Sequence, residues 1–404
     1  MIPISCPRTS ALASVLCVLA LSATPVRAQS LHDFVEAAVS RSPELVAVSG
    51  RRDNADARRS AAAAPTPGAP TLSGSYATDQ LVRNRQQREA QIGISTPLWL
   101  PGESTASRRV AEAELSRSAT QDAAIRLKLA GQVRDSLAEV ALAQGDLAVA
   151  ERRLRDATAL EADIARRVRA REASEADALL AQAERVSAKA DLRDRRTALA
   201  HARLDFESLT GRPPALFALD EPLGDPTQAG HPALGDARSA ADVAAANQAL
   251  TAIQVRENPE LGLFARRSRD MFATNWNTSL GVELRVPLAS QARNQPRQIA
   301  AQAEVTEAAA ALASTERELR THQQKARISY DNAIVQRDLA RERARALAKQ
   351  STLVARAFQA GQAPLVDTIR ARAQAFEAEA ASARADIGIA RARGRLNQAL
   401  GVIP

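Results

Sequence analysis

The chain has 404 residues, with 54 Lys and Arg against 46 Asp and Glu and a net charge of +8. The basic residues alternate with acids along helix-forming stretches instead of gathering in blocks, which argues against a nucleic-acid surface and for solvated helix faces. Aromatic residues make up only 3%, and both cysteines, Cys6 and Cys17, fall in the first 28 residues, so neither a bulky globular core nor a disulfide framework is expected.

Residues 1–28 read as an export signal. Arg8 supplies a positive start, Ala11 to Ala23 is a small and apolar run, and Val26-Arg27-Ala28 fits the small-residue cleavage rule. Cleavage there removes both cysteines and lowers the net charge by two. Downstream no apolar stretch is long enough for a transmembrane helix. That leaves a secreted protein, a periplasmic one, or a β-barrel.

The first repeat is expected over 29–212. It opens with a helix from Leu31 to about Ala64, broken at Ser42-Pro43 and stopped by the Pro-rich run 65–70. A β-hairpin follows over 71–98, with strands at Thr71–Thr78 and Ala90–Leu98. From Glu103 to Arg169 there is no proline, and Val133, Val140, Leu147 and Leu154 recur every seven residues. Three residues on from each stand Ser136, Ala143, Ala150 and Ala157, so the seam has one small side and permits close helix approach. A polar turn at 170–175 reverses the chain, and a helix returns to a Gly-then-Pro stop at Gly211. The helical hairpin thus spans 103–210. Its long arm would measure about 100 Å at ~1.5 Å per residue, the return arm only about 55 Å. The N-terminal helix could supply the missing length if stacked end to end.

Residues 213–235 read as a Pro/Gly-rich linker, and the second repeat is expected over 236–404. It carries a helix near Ala237–Val255, a β-hairpin over 259–288 and a helical hairpin over 297–400, turning at Gly361–Pro364. The strand Asn275–Leu288 has the clearest pattern. Trp276, Thr278, Leu280, Val282, Leu284, Val286 and Leu288 face one way, while Asn277, Ser279, Gly281, Glu283 and Arg285 face the other. About ten residues of this alternation suit a tilted membrane strand.

The repeats superpose in register at an offset of 190 residues without a gap: Pro97 on Pro287, Arg153 on Arg343, Asp177 on Asp367, Gly211 on Gly401. Pro97 and Pro287 each close a strand and open a long helix, because proline cannot sit in a central ladder. Four strands cannot close a barrel, and open edges are not tolerated in lipid. Several chains sharing one barrel and one helical tube would solve both problems. A soluble coiled-coil protein with two hairpins in a side domain is the alternative.

This plan resembles the TolC-like outer-membrane efflux proteins. The resemblance is carried by Ser42-Pro43-Glu44-Leu45, by Thr96-Pro97-Leu98-Trp99 and Val286-Pro287-Leu288 at the strand exits, by Ala360-Gly361 leading into Leu365-Val366-Asp367, and by Leu209-Thr210-Gly211 and Leu400-Gly401. No one motif is specific; their order and spacing are. The resemblance implies a mainly α protein with a small membrane β part, forming as a homotrimer a twelve-strand outer-membrane β-barrel on a twelve-helix periplasmic α-barrel. It implies an exit duct in a tripartite efflux system, reached by a periplasmic adaptor and an inner-membrane pump of the RND type, and bedded in outer-membrane lipid. Within the family the short Ala/Arg-rich chain looks most like the heavy-metal branch typified by CzcC, so metal cations are the expected cargo. Drug efflux or type I protein secretion through the same channel is the first alternative. A soluble periplasmic coiled-coil adaptor is an alternative of another class.

The resemblance also assigns residues. Asp177 and Asp367 would sit at the periplasmic tip, where an inward ring of carboxylates favours cations. The other reading makes each a first-turn Asp favoured by the helix dipole. Arg370 stands where relatives carry a second acid, and permits a pair with Asp367 instead. Arg171, Glu172, Gln362 and Pro364 would contact the adaptor or be plain solvated turn. Trp99 and Trp276 would anchor the strands at the membrane interfaces or pack at strand ends. No phosphate loop, nucleophile elbow or zincin helix occurs, and His32, His201, His231 and His322 are scattered, so no enzyme activity, cofactor or metal site is expected.

Overall fold

The computed structural model describes residues 30–81, 86–225, 230–271 and 273–404. The export signal, parts of the 79–89 loop and of the linker, and Phe272 lie outside the described residues. Helix α1 (Leu31–Ser40) starts at a capping box: the Ser30 hydroxyl accepts from the Asp33 N–H, and the Asp33 carboxylate accepts from the Ser30 N–H at 2.8 Å. Pro43 then opens α2 (Pro43–Ala62), where its missing N–H costs nothing.

Strands β1 (Thr71–Thr78), β2 (Arg88–Pro97), β3 (Glu260–Arg269) and β4 (Asn277–Arg285) form one antiparallel sheet in chain order. The two hairpins join through β2 and β3, from Arg88 opposite Arg269 to Pro97 opposite Glu260. The edges β1 and β4 have no described partner strand. β4 stops at Arg285, three residues short of the expected Leu288, because Pro287 has no N–H to continue the ladder.

Helix α3 (Glu103–Arg169, 67 residues) leaves the sheet from Gly102 and returns as α4 (Glu175–Thr210). Helix α6 (Gln291–Gln359, 69 residues) returns as α7 (Leu365–Leu400). α6 begins six residues before the expected Arg297. Pro296 lies near its start, where a fixed φ suits the helix and only one ladder bond is forgone. α5 (Pro232–Ile253) begins five residues before the expected Ala237, because the His231 ring accepts the Ala233 N–H at 3.2 Å and Pro232 stands at the first position. Its first turn falls inside the expected linker.

These helices make four columns. α2 covers the sheet-proximal part of α3, with Ser104 donating to the Ala62 carbonyl and Arg58 paired to Glu114. α4 covers the far part, with Arg153 paired to Glu184 and Glu161 to Arg185. α5 and α7 do the same on the other flank of α3, through Thr120–Ser239 and Asp135–Arg391. α6 forms the outer column beside them, tied by Arg341–Asp386. The expected end-to-end stacking is therefore found twice, once per repeat.

The main core lies mid-length, where α1 wedges between α3 and α4. Phe34, Val35, Val133, Leu137, Val140 and Phe206 are buried there, and the Phe34 and Phe206 rings meet edge to face at 5.1 Å. In the seam Val133, Val140, Ala150 and Ala157 are buried, the last two giving the small side its close contact.

Candidate functional site

All four long helices reverse or start at one end of the molecule, and the two turns there share one design. At the first, the Glu172 N–H donates to the Arg167 carbonyl at 2.8 Å and the Arg171 N–H to Val168 at 3.0 Å. At the second, Gln362 donates to Ala357 at 2.8 Å and Gly361 to Phe358 at 3.0 Å. Both are Schellman closures, which require a left-handed residue after the helix. Gly361 takes it freely at φ 72, whereas Arg171 holds φ 61 with a side chain attached. A small core locks the turns together: Leu160, Ile164, Ala181 and Leu365 are buried, and the Arg167 guanidinium lies 4.9 Å above the Phe358 ring.

The equivalent acids differ in employment. The Asp177 carboxylate accepts from the Ser174 hydroxyl at 2.7 Å and from its N–H at 3.2 Å, a complete capping box. Helix α7 is capped by Pro364, which offers no side-chain oxygen, so Asp367 is not engaged in that way. It lies 3.9 Å from Arg370, both exposed. Arg171, Glu172, Gln362 and Pro364 are all exposed on the turn.

At the other end, the sheet joins the helices. The Trp99 indole donates to the Ala64 carbonyl at 2.9 Å, fixing the exit of β2 against the end of α2. Pro97 closes β2 opposite Glu260, and Pro287 follows the end of β4. Sequence reasoning missed the polar hub of this junction. Glu103 is 3% exposed and its carboxylate accepts from the Leu100 N–H at 3.0 Å and from the Gln254 and Asn258 amides at 2.8 Å each. The equivalent residue in the second repeat is Arg293, so the internal repeat could not have flagged it.

One face of the sheet is apolar and bare. Leu72, Ile94, Leu263 and Val282 share a row across all four strands, and Ile92, Ala265 and Leu280 form the next. Leu280 is 84% and Leu72 75% exposed. The opposite face carries Ser73, Ser95, Gln91, Glu89, Arg266 and Glu283, with Arg266 paired to Glu89 at 3.0 Å. Trp276 stands at the hairpin end, away from the helices, so the two tryptophans mark opposite ends of the sheet. Among the described residues no helix is long and apolar enough to cross a membrane, and no cluster of three His, Cys, Asp or Glu could hold a metal.

Residues 226–402 match the family model for outer membrane efflux proteins. The match spans the second repeat. No curated protein matches the sequence. Among solved structures, the outer membrane protein VceC of Vibrio cholerae aligns at TM-score 0.73 and 18% identity, over 92% of this chain and 96% of that one. The Campylobacter jejuni CmeC outer membrane channel aligns at 0.75 and 14%, over 92% and 85%. The Neisseria gonorrhoeae MtrE outer membrane channel, in its open state, aligns at 0.69 and 19%, over 92% and 88%. At these identities the likeness shows a shared fold, and it extends over both repeats, including the first, which the efflux model does not reach.

Proposed function

We propose that this protein is one protomer of a trimeric outer-membrane channel, the exit duct of a tripartite efflux system that carries metal cations outward. An inner-membrane pump would drive it through a periplasmic adaptor. The observation that carries the channel reading is the pair of open edges. The sheet ends at β1 and β4, and the helical wall ends at the α2/α4 column and at α6. Sheet and wall are thus open on the same two flanks, and a ring of copies closes both with one set of contacts. In lipid such closure is obligatory, because no water is present to satisfy a bare strand edge. The bare apolar face of the sheet supports the same reading. Against a soluble adaptor stand the two repeats with two amphipathic strand pairs and a fold shared over 92% of the chain with outer-membrane channels. Membrane fractionation and cross-linking of the detergent-extracted protein test it: trimers in the outer membrane are expected, and a monomer recovered without detergent would sink the channel.

The cargo rests on the resemblance to the metal-efflux branch and on Asp367 as a gate acid. One observation favours the second reading, drug or protein export through the same duct: Arg370, 3.9 Å from Asp367, offsets the charge that would draw cations. Conductance in a planar bilayer separates them. A cation-selecting Asp367 ring predicts that Asp367→Ala relieves block by multivalent cations. Unchanged block removes the acidic gate and leaves the second reading.

A further inference from the structure

The apolar face of the sheet ends in a basic one. Arg88, Arg267 and Arg269 share the parity of Ile92, Leu263 and Ala265, so they stand on the same bare face, beyond the apolar rows at the hairpin end. Arg88 lies directly opposite Arg269 in the ladder. Like charges facing each other across two strands destabilise a sheet. The Arg267 and Arg269 guanidiniums both lie against one ring, Trp276, at 5.1 and 5.7 Å from its centre. None of the three arginines is ion-paired with another described residue: Arg269 donates only to the neutral Gln86, to its carbonyl at 3.4 Å and its side-chain amide oxygen at 3.0 Å, and the Nε of Arg88 is buried without a hydrogen bond.

We propose that Arg88, Arg267 and Arg269, with Trp276, form a binding site for the phosphorylated headgroup of an outer-leaflet lipid. Three guanidiniums without a counter-charge are a poor arrangement unless an anion lies among them, and guanidinium forks suit phosphate oxygens bidentately. Position selects the lipid over free phosphate. The site sits on the face that carries the apolar rows, so acyl chains can lie against Ile92, Leu263 and Leu280 while the headgroup meets the arginines. An indole at the same level is what a membrane interface favours. The inference rests on the outer-membrane reading above.

The detergent-extracted trimer, titrated with diphosphoryl lipid A, with phosphatidylcholine and with inorganic phosphate, is followed by native mass spectrometry. Wild type should retain lipid A and discriminate against the other two. The triple variant R88Q/R267Q/R269Q should bind lipid A at least about tenfold more weakly. Arg266→Gln should bind it as wild type does, since Arg266 points to the opposite face and is paired with Glu89. If the triple variant fails to assemble, Arg269→Gln alone, which removes the like-charged neighbour of Arg88, should still weaken lipid A. Equal retention by wild type and variant, equal loss in Arg266→Gln, or binding of inorganic phosphate without preference for lipid A overturns the site. A protein that needs no detergent overturns the channel reading itself, a result that fractionation gives before any titration.

Discussion

At the residue scale the two repeats reveal where identical backbones are served by unequal side chains. Arg171 and Gly361 occupy the same left-handed position, which costs a residue with a Cβ about 1–2 kcal/mol. Arg171→Gly should therefore stabilise the first turn by about 1 kcal/mol, less what added chain entropy removes. A rise in the thermal midpoint of the purified protein would show it, and a fall would mean that Arg171 makes a compensating contact. The most enclosed ion pair gives a larger effect. Arg134 and Glu221 are 7% and 10% exposed and meet at 2.6 Å, and Arg134 also donates to Gln398 at 2.8 Å and to the Val402 carbonyl at 3.0 Å. Glu221→Gln leaves a buried guanidinium without its counter-charge, a loss of about 3 kcal/mol. Denaturant titration reads this directly, and a change under about 1 kcal/mol would place the pair in a more hydrated setting.

At the element scale, helix ends carry both the legibility and the gaps. Gly211 and Gly401 mark their ends at φ 69 and 81, so Gly-after-helix located two boundaries correctly. The helical hairpin turns were equally readable, because a Gly or polar turn interrupts long proline-free stretches. The start of α6 was placed too late: the helix was expected from Arg297, yet it begins at Gln291 and Pro296 lies inside it. The start of α5 was hidden because a histidine does the capping that Ser, Thr or Asp usually does. That cap is pH-sensitive. Burial lowers the His231 pKa below its ordinary 6.5, a shift partly opposed by a hydrogen bond to the Gln398 backbone. The folded state therefore prefers the neutral ring, whose Nδ1 accepts from Ala233. The associated stability is complete above pH 6.5 and declines as the pH falls from there through the lowered value. His231→Asn, which can still cap, should flatten the midpoint-versus-pH curve below pH 6.5. An unaltered slope would assign the acid sensitivity to other groups.

For the whole molecule, the repeat, the lengths of the arms and the stacking of short helices on the return arms were all legible in residue spacing. The order of strands and columns was not, because periodicity says which face is covered and not by what. The join of β2 to β3 and the placement of α3 between two stacked columns come from tertiary packing alone. So does the work of Glu103, whose two amide partners, Gln254 and Asn258, lie about 150 residues away in sequence. The outer column makes the closing surface testable. Of the residues of α6 only Ala301 is buried, while Val335 and Leu339, one turn apart, are each 55% exposed. The double substitution Val335→Asp and Leu339→Asp should abolish cross-linked trimers while leaving helical content intact. Trimers of normal yield would show that copies meet elsewhere.

The arrangement around Arg134 also has mechanical meaning. It ties the middle of α3 to the segment after α4 and to the end of α7, so a tilt of the helix in the proposed channel would take this level as its fulcrum. From Arg134 to the turn after Arg169 the helix runs roughly 50 Å at ~1.5 Å per residue. A pivot of about 3° at the fulcrum would carry the far turn through roughly 3 Å over such an arm, while every hydrogen bond within the helix stays intact. In the proposed duct, widening the passage at the turn end would then need only a small tilt of stiff levers.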